Sequence, residues 1–277
     1  MVGEAAQRGL AGEHHQMTDT LKFSAPPAIG ENSHYLVCSE IWGGTEAINQ
    51  EVSTAGISAS ITSRAVGGGR GGDIHYLSYC TLDFLTRIAI ADVRGHGESV
   101  AMLSSWVYLA LQAQMNTLAG DKVLSELNRK VYERGLESMT TAAVLSYDRN
   151  QRRLHFCYAG HPPAMVWQRA SGWQRLENRE EAETSNLPLG VMAVTAYEQG
   201  QVSLTPGDRV VVFTDGLLDA EDRDGEPFGA ERLSRVLESE GAASISSLKR
   251  AILSGLLDHT NGQPLEDDLT VMTAEVR

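Results

Sequence analysis

From Ser33 onward, apolar residues recur along the chain at two distinct periods. The run 35–42 reads as a strand, and in 57–65 apolar residues alternate with polar ones, as Ile57, Ala59 and Ile61 do between Ser58, Ser60 and Thr62, which predicts a half-buried strand. The runs 74–79 and 86–91 predict a strand pair, and the glycine-rich stretch 66–73 before them reads as a loop. A period near 3.6 then takes over at Val100, Leu103, Val107, Ala110, Leu111 and Met115, predicting a helix. A second helix is expected over about 120–136, with Asp121 near its start and Gly135 near its end.

Strand character returns at 138–147 and pairs as a hairpin with 153–158. The meander continues through 164–167 and a strand around Trp173. Strands at 200–204 and 209–214 are joined by ThrProGlyAsp, a turn signature. Two helical patterns fill 229–258, and 268–276 closes the chain as a core strand. The four tryptophans Trp42, Trp106, Trp167 and Trp173 read as packing residues. Residues 1–32 lack either period and are expected to be poorly ordered; 178–187, polar and charged, reads as a mobile flap. The segment 33–277 is therefore expected to form one α+β layered domain.

Composition narrows the function. The net charge of −13 disfavours nucleic acid and anionic membrane surfaces as partners. Cys38, Cys80 and Cys157 lack CxxC spacing and read as reduced thiols of a cytoplasmic protein. No apolar run reaches membrane-spanning length, and the N-terminus lacks the apolar core of a secretory signal.

The chemistry concentrates in aspartates at strand ends. Asp73 follows GlyGly, Asp92 ends an apolar run before ValArgGlyHisGly, Asp215 lies in PheThrAspGlyLeu, and Asp267 and Asp268 open AspAspLeuThrVal. A carboxylate beside a buried strand is costly unless a cation balances it, and carboxylates converging on one point suit Mg²⁺ or Mn²⁺. Two such ions about 4 Å apart would activate water for attack on a phosphate ester. Neither a GxSxG elbow nor a CxxxxxR loop supplies an alternative nucleophile. Asp121, Asp148 and Asp208 read instead as cap or turn residues. Arg70, in the glycine loop, is a candidate phosphate contact or a solvated loop arginine. His96 is a candidate proton donor or a turn residue; His161 in AlaGlyHisProPro reads as structural.

Taken in order, GlyGlyAsp (71–73), AlaAspValArgGlyHisGly (91–97), SerMetThrThrAla (138–142), TyrAlaGlyHisProPro (158–163), ProLeuGlyVal (188–191), the run ending PheThrAspGlyLeu (213–217), PheGly (228–229) and AspAspLeuThrVal (267–271) resemble one family. It is that of the metal-dependent protein phosphatases (PPM, type 2C), in the bacterial SpoIIE-like and RsbU-like branch. The resemblance covers about 35–277. It implies an αββα sandwich of two antiparallel sheets flanked by helices, with a dinuclear Mn²⁺ or Mg²⁺ site at one end of the sheets. It further implies hydrolysis of phosphoserine or phosphothreonine by a hydroxide bridging the two ions.

By the same resemblance, Asp92 bridges both metals, the Val93 carbonyl ligates the second, and Asp215 and Asp267 hold the first. Asp73 binds the second metal directly or through water; the motif favours Asp267 over Asp268 as ligand. Catalysis then runs through Asp92 and Asp215, and the substrate is a phosphoprotein such as a STAS-domain antagonist of an anti-sigma factor. Control is expected from a partner, from a homodimer or from the helices after Asp92. Three positions depart from the family pattern: Tyr76 where many members carry a second aspartate, Arg94 and Gly95 ahead of His96, and Asp219 for glutamate. Tyr76 motivates an alternative, a catalytically weak phosphoprotein-binding module with the same fold.

Overall fold

The structure is a computed structural model that describes residues 38–80, 84–95, 100–117, 119–177 and 186–277, all within the compact unit Tyr35–Arg277. The expectations for 1–32 and for His96 fall outside the described residues, as does the flap apart from its last two residues. In chain order the first elements are strands β1 (Cys38–Glu46), β2 (Ile48–Ser53), β3 (Ile57–Arg64), β4 (Arg70–Cys80) and β5 (Leu85–Val93), then helices α1 (Ala101–Gln112) and α2 (Gly120–Arg134). Next come β6 (Thr140–Asp148), β7 (Arg153–Ala159), β8 (Met165–Gln168), β9 (Gly172–Arg175), β10 (Gln199–Ser203) and β11 (Arg209–Phe213). Helices α3 (Gly229–Glu240) and α4 (Ile245–Thr260) precede the last strand, β12 (Leu269–Val276).

The strands form two six-stranded sheets, β1-β4-β5-β6-β7-β10 and β2-β3-β12-β11-β8-β9. Every ladder between named strands is antiparallel. Side-chain alternation divides the apolar residues among three layers. Ile61, Leu77, Ile88, Ile90, Leu145 and Met272 fill the space between the sheets. Ile74, Ala89 and Val144 pack on α1 and α2; Val211, Leu269 and Val271 pack on α3 and α4. Helix α2 is seated by Val123, Leu124, Leu127 and Val131, an apolar stripe at helical spacing. Helix α4 is capped by Ser244, whose Oγ accepts from Ser247 N, and ends on left-handed Asn261. The result is the αββα sandwich that the sequence resemblance implies.

Two elements differ from the pattern-based expectation. β4 begins at Arg70, so Gly71, Gly72 and Asp73 are strand residues and the loop is shorter than 66–73. Glycine has no side chain to alternate, so the pattern stays silent where this strand starts. Only Gly67, Gly68 and Gly69 turn to positive φ, as a loop requires. The strand β2 has no counterpart in the sequence reading because it lies on a sheet edge and carries only two apolar residues, Ile48 and Val52, which pack half-buried against the core with the polar Gln50 between them. Its other face is held by polar bonds: Thr62 Oγ1 donates to Asn49 Oδ1, and the buried Lys249 Nζ donates to Asn49 Oδ1 and the Ile61 carbonyl.

Candidate metal centre between the sheets

The β4–β5 ladder sets Asp73 directly opposite Asp92, and the β5–β6 ladder sets Thr141 opposite Asp92 on its other side. All three face the second sheet, since Leu77, Ile90 and Ala143, two residues along each strand or an even step from it, line the layer between the sheets. From the second sheet, Asp215 arrives in a short 3₁₀ turn directly after β11. Asp267 and Asp268 arrive immediately before β12. The expected strand-end residues are thus drawn to one end of the sandwich. Val93 ends β5 beside Asp92, and its side chain packs into the helix-side layer.

Asp73 is buried, and its Oδ2 accepts hydrogen bonds from Thr214 Oγ1 at 2.8 Å and Thr270 Oγ1 at 2.7 Å. Burial pushes its carboxyl up to about 8; the two hydroxyls pull the other way, and Asp268 and Asp215 add to the rise. Asp92 is pushed up to about 9, first by burial and then by the negative charges of Asp73, Asp215, Asp267 and Asp268. Asp215 is raised by burial, with Asp267 and Asp219 contributing. Five carboxyl groups therefore lie within electrostatic reach of one another.

His161 ties the sheets together beside this cluster. Its Nε2 donates to the Phe213 carbonyl at 3.1 Å, which leaves Nδ1 to accept from Thr141 Oγ1 at 2.8 Å. Burial lowers its pKa to about 4, so the ring is neutral. The structural reading of His161 fits this placement. Asp148 and Asp208 also sit where the turn reading put them: Asp148 Oδ1 accepts from Gln151 N, and Asp208 Oδ2 from Thr205 N. Asp121 lies in the first turn of α2.

Arg70 is bound to Glu46, 2.7 Å away on the neighbouring strand β1, at an exposed position. Tyr76 lies on the opposite face of β4 from Asp73, in the layer beneath α1 and α2. Its replacement of an aspartate thus changes the helix-side packing rather than the face that carries the cluster.

Among the described residues the donor set fits a hard divalent cation: four carboxylates and one main-chain carbonyl, with no thiol beside them and with the His161 imidazole already engaged. The backbone leaves room for it. A Cβ at Gly72 would come within 2.6 Å of the Val93 carbonyl and 3.2 Å of Asp92 Oδ1, so only glycine leaves both oxygens uncovered. Among the described residues, no three carboxylate, imidazole or thiol groups already close on one point at ligating distance. The fit is therefore one of donor chemistry and position.

Asp267 and Asp268 are treated differently by the fold. Asp267 is partly exposed, and its Oδ1 accepts from Asp268 N. Asp268 is 1 % exposed and both of its oxygens accept main-chain N–H groups, from Val66 at 2.7 Å and Gly72 at 2.6 Å. Sequence reasoning missed this arrangement and the two threonines on Asp73. The inner-face alternation of β12, which turns Thr270 inward with Met272 and Ala274, was the available signal.

The family model for Stage II sporulation protein E (SpoIIE) matches residues 83–277. The chain belongs to the SpoIIE family. It is 28% identical over 196 residues to the phosphoserine phosphatase RsbP of Bacillus subtilis, a match covering 69% of this chain and 45% of RsbP. It is 29% identical over 187 residues to the phosphoserine phosphatase RsbU of the same organism, covering 67% and 54%. The chain spans about half the length of these curated relatives. Its fold is that of the SiaA-PP2C domain of Pseudomonas aeruginosa, at a TM-score of 0.66 and 22% identity over 78% of this chain and 85% of that one.

Proposed function

We propose that this SpoIIE-family chain is a metal-dependent protein serine/threonine phosphatase. The observation that carries the proposal is the in-register pair Asp73–Asp92 on one sheet, facing Asp215 and Asp267 from the other. In this reading Asp92 would hold both Mn²⁺ or Mg²⁺ ions, Asp215 and Asp267 would hold the first, and the Val93 carbonyl and Asp73 would serve the second. Asp267 is assigned over Asp268 because the latter's oxygens are already engaged by main-chain N–H groups.

When bound, such ions supply an activated water at neutral pH and neutralise the charge on the phosphate. The chain's own residues do the rest. The β4–β5 ladder fixes the spacing of Asp73 and Asp92. Thr214 and Thr270 hold Asp73 Oδ2, and His161 fixes the sheet separation through Thr141 and Phe213. Arg70, if released from Glu46, contributes to phosphate binding rather than to chemistry. The substrate class follows the family: a phosphoserine- or phosphothreonine-bearing protein such as a STAS-domain antagonist of an anti-sigma factor.

The test is hydrolysis of p-nitrophenyl phosphate after chelation, with Mn²⁺ or Mg²⁺ restored, beside Asp215→Asn, followed by a phosphorylated STAS-domain protein as substrate. Turnover restored by metal and lost in the variant is the expected result. Metal-independent turnover, or turnover retained by Asp215→Asn, would sink the proposal.

A further inference from the structure

The second aspartate of the AspAsp pair is the more deeply buried of the two, and its surroundings are built around it. A Cβ at Gly71 would collide with the Asp268 carboxylate, and one at Gly216 with the Asp268 carbonyl. The Gly71 carbonyl is held from the opposite side by Ser104 Oγ of α1, at 2.6 Å. Gly71 and Gly72 are therefore gripped between α1 and Asp268, and Asp268 itself belongs to the other sheet. Beside Gly72 lie the Val93 and Gly95 carbonyls and the Asp92 carboxylate.

Resting on the metal reading above, we propose that Asp268 is a positioning residue. It clasps the start of β4 to the start of β12, and so sets the distance between the Asp73–Asp92 pair and the Asp267 side of the centre. Its two acceptors meet two diverging N–H donors, Val66 before the strand and Gly72 within it. Only a carboxylate supplies two acceptors at that branch length. An asparagine would keep one bond and set an amide NH₂ against the other N–H. A misplaced second shell typically weakens a metal site about 10–100-fold while leaving its ligands in place.

The experiment is calorimetric titration with Mn²⁺ of the wild type, Asp268→Asn, Asp268→Ala and Asp267→Asn, with Asp208→Ala as a control for lost stability alone. Amide exchange at Val66 and Gly72 is followed in parallel in chelator. Asp268→Asn is expected to bind as many ions as the wild type, about 10–100-fold more weakly, with Asp268→Ala weaker again. Exchange at Val66 and Gly72 should accelerate in both, and Asp208→Ala should bind Mn²⁺ like the wild type. Unchanged Mn²⁺ affinity in Asp268→Asn would overturn the proposal, as would loss of a whole ion equivalent, the outcome expected of Asp267→Asn. Unaccelerated exchange at Gly72 would overturn it without reference to metal. A wild type that takes up no Mn²⁺ would instead bring down the metal reading, with the exchange data still deciding whether the clasp exists.

Discussion

The floor and the rim of the carboxylate cluster are built on opposite principles. At the floor, Asp73 and Asp268 are buried and accept hydrogen bonds from two threonine hydroxyls and two main-chain N–H groups respectively. At the rim, Asp92, Asp215 and Asp267 are partly exposed. Asp268, with both oxygens engaged by main-chain N–H groups, holds geometry; Asp73, tied by the threonines through Oδ2 alone, and the three aspartates of the rim remain the candidates to take a cation. The same residue type thus divides into scaffold and ligand according to what surrounds it.

The sharpest test of that division is at the rim. Asp92→Asn is expected to lower metal-dependent turnover by more than about 100-fold, beyond the range of a second-shell loss, while the metal-free protein keeps or gains thermal stability. A variant that unfolded would place Asp92 with the scaffold and erase the contrast. Next in size, Gly72→Ala should weaken Mn²⁺ binding by about 10-fold or more in calorimetry, because its methyl group would crowd the Val93 carbonyl and the Asp92 carboxylate.

Protonation probes the cluster as a whole. Burial raises Asp73 to about 8 and Asp92 to about 9, so the folded metal-free protein holds protons that the unfolded chain releases near the ordinary carboxylate range. Stability should therefore fall as pH rises. His75 and His161, lowered to about 4 by burial, oppose this slope up to their ordinary value of 6.5 and no further. Melting in chelator is accordingly expected to show a decline between about pH 6.5 and 9, reduced by Asp92→Asn, which leaves the contribution of Asp73, and removed by added Mn²⁺. A flat profile would mean that the cluster is hydrated. The smallest effect lies outside the cluster: Asp208→Ala should cost about 0.5–2 kcal/mol in denaturant unfolding and leave kcat unchanged.

Much of this architecture was legible in the sequence because it is written in alternation. Ile57, Ala59 and Ile61, or Val123, Leu127 and Val131, announce both their element and the face it buries. The carboxylates were legible because each adjoins such a run. What stayed hidden was set by partners distant in the chain. Nothing near Asp268 in sequence marks its bonds to Val66 and Gly72, some two hundred residues away. Likewise β2, whose Asn49 finds Thr62 and Lys249, offers only Ile48 and Val52 as apolar positions, too few for a period to be read. The start of β4 was obscured by glycines whose role is to have no side chain.

The direct opposition of Asp73 and Asp92 also bears on how the chain becomes competent. Side chains alternate across a strand, so pairing β4 one residue out of step would send one of the two carboxylates to the helix side and leave an apolar residue in its place. Such a molecule could still be compact, yet it would have no paired carboxylates to offer a cation. Uptake of metal would then act as a proofreading step on folding, drawing the population toward the one strand register that can bind it.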